Sequence, residues 1–429
     1  MNYQIKTLES GLRIIHLPSD STVIYCGIGV KAGTRNELKG EEGLAHFCEH
    51  LSFKGTKRRT AVQIINAIEG VGGELNAFTN KEDTMYYCAI QRSHFMKAVD
   101  VLCDIVFDSQ FPQAEVEKER EVVCEEIESY EDSPAELIYD EFENLLFAGH
   151  PLGHNILGTR EQVRAYSSAD ARRFTARNYR PDNAIFFVSG NIDFGKLVKK
   201  LEKASPSCVP SVASEQCQSA APEGAIIDTS FHSETIEAPS GAVGGASGAF
   251  IVRQRGTHQA HVMMGGLGFP ATDPRRWSLY LLNNILGGPG MNSRLNLALR
   301  ERYGLVYTVE SSMVSYSDAG LWSVYFGCDP DDVKRCCRLV RSELNRLMRS
   351  PLSVRQLSAM KRQLQGQLAI AADSREQFAI DFAKNFLHSG KLRDLNDIMR
   401  HIDRLTPDDL HETANALFNE ERICTLIYE

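Results

Sequence analysis

The sequence predicts an α+β fold, built twice in one chain. Three observations predict it: runs that alternate between strand and helix periodicity, the same order of runs in both halves, and a low-complexity segment between the halves. At 429 residues the chain is long for one core and suits two or three domains. It is 43% apolar and 24% charged, the composition of a globular protein with ample core.

In chain order, residues 12–16 and 23–30 read as strands, and a short helix through Leu44 and Leu51 follows. After a loop come a strand at 84–90 and an amphipathic helix through Ala98, Val101 and Leu102. Residues 115–130 form an acidic helix with Val116, Val123, Ile127 and Tyr130 at helical spacing. The first half closes on a strand-like run at 184–190. The second half repeats the order, with a strand at 261–267, a helix at 279–286, a strand at 321–327, a helix through Cys337 and Val340, and a last strand at 423–428.

Between the halves, residues 205–248 are mostly Ser, Ala, Gly and Pro, too poor in large apolar groups to offset their ordering entropy. They are expected to be a flexible linker with room for one short strand at 225–227. Cys208 and Cys217 within it read as two exposed thiols rather than a redox pair. The predicted division is 1–204, 205–248 and 249–429.

A formal charge of −9 argues against nucleic acid as a partner and fits cationic ligands or plain solubility. Residues 1–6 lack the apolar core of a signal peptide, and no apolar run is long enough to span a bilayer. The 11 cysteines are scattered without C-x-x-C spacing, which fits reduced thiols. The expectation is a cytoplasmic, bacterial chain with no membrane partner, or an organelle-matrix chain if this is a mature form.

The chemistry concentrates at His46-Phe47-Cys48-Glu49-His50, an H-x-x-E-H pentapeptide that reverses H-E-x-x-H. On a helix, His46 and His50 project from one face a turn apart. Two imidazoles so placed can hold one Zn²⁺, with Glu49 beside them as a general base. Setting Leu51 against Leu286 and Gly55 against Gly290 places Leu281, Asn284 and Ile285 opposite His46, Glu49 and His50. Only the first half carries this chemistry, so one ion per chain is expected.

A zinc site of this kind needs a third protein ligand. On the acidic helix, Glu119 and Glu126 lie seven residues apart at the edge of the apolar stripe. Glu125 shares a face with Lys118, Glu121 and Glu128, the wet side. The face argument prefers Glu126 to Glu125, although most carboxylates of this segment must be solvated surface. Glu119 could hydrogen-bond a ligand histidine or the water. His150 and His154 are four apart, but Pro151 and Gly153 between them rule out a helix, so they are not counted as ligands. The loop Gly287-Gly288-Pro289-Gly290 lacks the Lys-Ser/Thr of a phosphate loop.

Together these residues resemble the M16 (pitrilysin/insulinase) metallopeptidases, and more narrowly the short-chain, mitochondrial-processing-peptidase-like subfamily. The resemblance runs through His46, Glu49, His50, Phe53, Lys54, Gly55 and Thr56, through Gly73-Glu74-Leu75-Asn76-Ala77-Phe78-Thr79, and through Glu119 to Ile127. It continues in Gly287-Gly288, Ser293-Arg294-Leu295 and Arg300 to Tyr307. Pro289, Asn292 and the long Ser/Ala-rich linker depart from the pattern.

The resemblance implies two homologous domains of the LuxS/MPP-like metallohydrolase type, each a largely antiparallel sheet packed with helices. It implies a zinc metalloendopeptidase acting on peptides or unfolded segments, with His46, His50 and Glu126, 76 residues after His50, as ligands. Glu49 is then the base, Glu119 a supporting carboxylate, and Asn76 and Ala77 part of an edge that binds substrate as an added strand. Arg300 and Tyr307, seven residues apart, are implied to reach the substrate carbonyl. A homodimer or heterodimer enclosing a chamber is implied too. Two other readings stay open: a non-catalytic partner subunit, and a zinc-binding protein without turnover.

Overall fold

The computed structural model describes residues 3–204, 249–391 and 394–429. The expected linker at 205–248, with Cys208 and Cys217, lies outside the described residues. The described residues within 1–129, 149–221 and 370–394 make one unit, and those within 130–148, 222–369 and 395–429 make the other.

In chain order the first half gives β1 (Gln4–Thr7), β2 (Arg13–Leu17), β3 (Val23–Val30), α1 (Leu44–Ser52), α2 (Ala61–Ile68), β4 (Glu74–Thr79), β5 (Thr84–Gln91) and α3 (Phe95–Phe107). It continues with α4 (Gln113–Glu131), α5 (Pro134–Leu146), α6 (Arg160–Ala165), α7 (Ser168–Asn178), β6 (Ala184–Ser189) and α8 (Phe194–Ala204). The second half gives β7 (Phe250–Arg253), β8 (Ala260–Leu267), α9 (Arg276–Gly287), β9 (Val306–Ser315), β10 (Gly320–Cys328) and α10 (Val333–Arg349). It ends in α11 (Val354–Ala371), α12 (Arg375–Ser389), α13 (Leu395–Arg404), α14 (Pro407–Leu417) and β11 (Cys424–Tyr428).

The first unit's sheet runs β1-β2-β6-β3-β5-β4 and the second unit's runs β7-β11-β8-β10-β9. Apart from the extra β1, the second order repeats the first, with β7, β11, β8, β10 and β9 in the places of β2, β6, β3, β5 and β4. Pairing is antiparallel except between β2 and β6 and between β7 and β11. The expected α+β class, with largely antiparallel sheets, is what the chain forms.

Both faces of the first sheet are covered, which is why its inner strands read as continuous apolar runs rather than alternating ones. Ile14, Ile24, Cys26, Ile28, Phe186 and Val188 face a core shared with α1 and α3. The alternate residues Ile15, Met85, Ile185 and Phe187 face Ile380, Phe382, Ala383, Phe386 and Leu387 of α12. Burial of each large apolar side chain there contributes about 1.5–3 kcal/mol. A Cβ at Gly27 would meet the Phe187 ring at 2.5 Å, so only glycine lets that ring lie across β3.

The second sheet is built alike. Val262, Val324 and Phe326 enter a core with α9 and α10. Met263, Tyr325, Leu426 and Tyr428 receive Leu137, Ile138 and Phe142 of α5. Helix α5 thus belongs to the unit formed mostly by the second half, and α12 to the unit formed mostly by the first. The expected contiguous domains 1–204 and 249–429 differ from these units in those two segments. Amphipathic spacing reveals a helix's apolar face but not the sheet that will cover it.

Candidate metal centre

Helix α1 starts at Gly43, which has φ +91° and no side chain to cap the helix. The cap comes from Glu37 instead, whose carboxylate accepts the Gly43 N–H at 3.1 Å and the Ala45 N–H at 2.7 Å. His154 Nε2 lies 2.8 Å from the same carboxylate. One face of α1 sends Leu44, Phe47, Cys48 and Leu51 into the core. Its other face presents His46, Glu49 and His50 together, with the two imidazole centroids 4.6 Å apart.

Helix α4 supplies the carboxylates, burying Val116, Glu119, Val123, Cys124 and Ile127. Glu126 Oε1 comes within 3.7 Å of His46 Nε2, and its Oε2 within 3.4 Å of His50 Nε2. One ligand atom from each of these three residues lies within 4.8 Å of the other two. Among the described residues this is the only such group of His, Cys, Asp and Glu. Glu125, the less favoured alternative, is exposed like Glu126 but is not part of this group. The Glu126 side chain is 43% exposed, which leaves the trio open to an ion from solvent.

The electrostatics fit a cation. Burial and the neighbouring His50 push His46 down to about 4, leaving it a neutral lone-pair donor. Its buried Nδ1 has no hydrogen-bond partner among the described residues. Burial works against charge on His50 too, but hydrogen bonds to Glu119 and Glu126 outweigh it and raise it to about 9. The site therefore attracts positive charge where two carboxylates face one imidazole. A set of two nitrogens and a carboxylate oxygen suits Zn²⁺.

Two further contacts set the geometry. His50 Nδ1 lies 3.0 Å from Glu119 Oε1, so once Nε2 gives up its proton the ring is left in the tautomer that can ligate through Nε2. Thr79 Oγ1 donates to Glu49 Oε2 at 2.6 Å. That bond engages one oxygen of the buried Glu49 carboxylate and leaves Oε1 for another partner. Burial raises the Glu49 carboxyl, partly offset by Thr79 and His50.

Asn76 and Ala77 lie on β4, the edge strand of its sheet, paired with Tyr87 and Tyr86 of β5. Arg300 and Tyr307 lie in the second unit and lie close together, with the Arg300 guanidinium 5.8 Å from the Tyr307 ring centroid. They help line a cavity of about 510 Å³ beside α9 and β9. Leu281 and Ile285, opposite the two histidines, are buried core, and Asn284 donates to Gln367 at 2.7 Å. His150 and His154 lie outside any helix, as expected.

The sequence reading assigned no roles to Glu37, Lys54 or Thr79. Thr79 had a local signal, since it follows Ala77 by two residues on one strand face.

Residues 14–160 match the family profile described as insulinase (peptidase family M16), and residues 165–364 the one described as peptidase M16 inactive domain. The chain is 34% identical over 423 residues to an uncharacterized zinc protease of Streptomyces coelicolor, covering 98% of this chain and 88% of that protein. It is 32% identical to the uncharacterized zinc protease YmxG of Bacillus subtilis, covering 98% and 97%. A solved protease from Helicobacter pylori matches with TM-score 0.84 at 22% identity, covering 100% of this chain and 99% of that one. A Pseudomonas fluorescens structure described as peptidase M16 inactive domain also matches at 0.84, with 17% identity, covering 100% and 98%. The chain belongs to the M16 peptidase family. The inactive-domain description falls on residues 165–364, whereas His46, Glu49, His50, Glu119 and Glu126 lie within 14–160.

Proposed function

We propose that the chain is a zinc-dependent metalloendopeptidase that hydrolyses peptides or unfolded polypeptide segments, with one Zn²⁺ held by His46, His50 and Glu126. The observation that carries this reading is the convergence of three ligand atoms within 4.8 Å, beside a Glu49 carboxylate already fixed by Thr79. When bound, the ion would polarise the scissile carbonyl and acidify a water. Glu49 takes a proton from that water through its free oxygen and returns it to the leaving amine. Glu119 keeps the His50 ring in the ligating tautomer.

The β4 edge takes substrate as an added strand at Asn76 and Ala77, through main-chain hydrogen bonds. Arg300 and Tyr307 serve as donors to the developing oxyanion. A second copy or a partner chain completes an enclosed chamber, and sedimentation of active protein as monomer alone would remove that part. The described cysteines are all free thiols, which supports a cytoplasmic setting.

The test is cleavage of a mixed quenched-fluorescent peptide library by wild type and Glu49→Gln, with zinc measured on both. The expected outcome is zinc in both proteins and cleavage by wild type alone, with Glu49→Gln slower by about 10²–10⁴. Equal cleavage by both would remove Glu49 as the base. Zinc in both and cleavage by neither would favour the partner-subunit reading.

A further inference from the structure

Glu119 is almost fully buried, 4% exposed, yet both its oxygens are engaged. Oε1 meets His50 Nδ1 at 3.0 Å, and Oε2 meets Lys54 Nζ at 2.7 Å. A carboxylate held at one oxygen can still swing about that bond. Held at both, it can offer only one direction to the imidazole. The backbone that carries Lys54 has little freedom, because the chain on either side of it is fastened.

On the near side, α1 has just ended, and the Lys54 N–H donates to Leu51 O at 3.0 Å. On the far side, Gly55 takes φ +145°, a conformation that favours glycine, and its carbonyl accepts Gln110 N–H at 3.0 Å. Thr56 Oγ1 then donates to Asp104 Oδ2 at 2.8 Å, and Arg58 Nε to Asp104 Oδ1 at 3.1 Å. Arg59 pairs with the same carboxylate, which is wholly buried on α3. The turn that carries Lys54 is therefore tied to the core of its unit.

We infer that Lys54 is a positioning residue for the metal centre: it fixes the Glu119 carboxylate, which in turn fixes the ring of His50. The inference rests on the zinc-site reading above and adds to it a residue that touches neither ion nor substrate. A lysine at this place also leaves the buried Glu119 charge paired on the side away from the imidazole. Removing it frees the carboxylate to rotate and lets the His50 ring lose its direction. Losing such an outer partner typically weakens metal binding by about 10–100-fold.

The test is zinc affinity, measured by chelator competition on metal-free protein, in a cycle of wild type, Lys54→Met, Glu119→Gln and the double variant. Lys54→Met should weaken zinc about 10–100-fold, and Lys54→Arg should recover part of that loss. The double variant should bind no more weakly than Glu119→Gln alone, because Lys54 acts through Glu119. Lys57→Met, which removes a charge from the same turn, should leave affinity unchanged. Unchanged affinity in Lys54→Met, or losses that add in the double variant, would overturn the inference. If Lys54→Met does not fold, Lys54→Gln takes its place in the same cycle. Because the readout is binding, a protein that holds zinc but cleaves nothing sinks the peptidase reading and leaves Lys54 testable. Normal cleavage with unchanged affinity in Lys54→Met sinks Lys54 alone.

Discussion

Replacing Glu37 with glutamine should flatten the pH dependence of stability of the unit that carries α1. The Glu37 side chain is fully buried, caps α1 through two amides and contacts His154. Burial raises its carboxyl from the ordinary 4.5 to about 7, against the pull of His154, Ala45 and Gly43. A raised acid binds its proton more tightly folded than unfolded. Its contribution to stability is thus fully present below about pH 4.5 and is lost as pH rises through about 7. At about 1.4 kcal/mol per pH unit, the shift caps the effect at roughly 3 kcal/mol. Between pH 5 and pH 8 the wild type should therefore lose about 2–3 kcal/mol relative to Glu37→Gln, which has no such proton. Urea unfolding of both proteins at the two pH values measures the difference directly. A difference that stays flat, or that moves in favour of the wild type with rising pH, would refute the reasoning. It would mean that Glu37 is ionised throughout and that its two amide donors outweigh burial.

Three further outcomes are expected at the centre. Thr79→Val should lower kcat by about 10–100-fold, a part of what a general base contributes, with bound zinc unchanged; Thr79→Ser should restore it, and equal rates for Val and Ser would remove the orienting role. Glu126→Gln should weaken zinc by at least about 100-fold, beyond the loss of an outer partner. Chelation of the wild type should abolish cleavage reversibly, and zinc retained by dialysed Glu126→Gln would exclude Glu126 as a ligand.

The parts of this site that were legible in the sequence are those set by local periodicity. His46 and His50 are four residues apart on one helix, so their shared face follows from helix geometry alone. Glu126 was legible through the apolar stripe of α4 and through the family spacing from His50, and the buried Val123 and Ile127 bear out that stripe. Strands β3, β5, β6, β8, β10 and β11 lie within a residue or two of the predicted runs. Contacts made through turns were not legible. Glu37 reaches the start of α1 across Gly40, which has φ +90°, and Lys54 reaches Glu119 from beyond the helix end. No periodicity connects such pairs, because turn geometry rather than helix or strand repeat sets where the side chain arrives. The placements of α5 and α12 were illegible for a related reason, since two sheets of the same kind were available to cover.

That placement of α12 affects how the protein can be made. The sheet of the unit that carries α1 has one face that stays bare until residues 375–389 exist. During synthesis the ribosome will have released His46, His50 and Glu126 long before that helix. A growing chain can hold all three of these side chains and still expose Ile15, Met85, Ile185 and Phe187 to water. The order of translation thus defers completion of this unit until residues 375–389 have been made, and a nascent chain stalled earlier would carry a sticky apolar face.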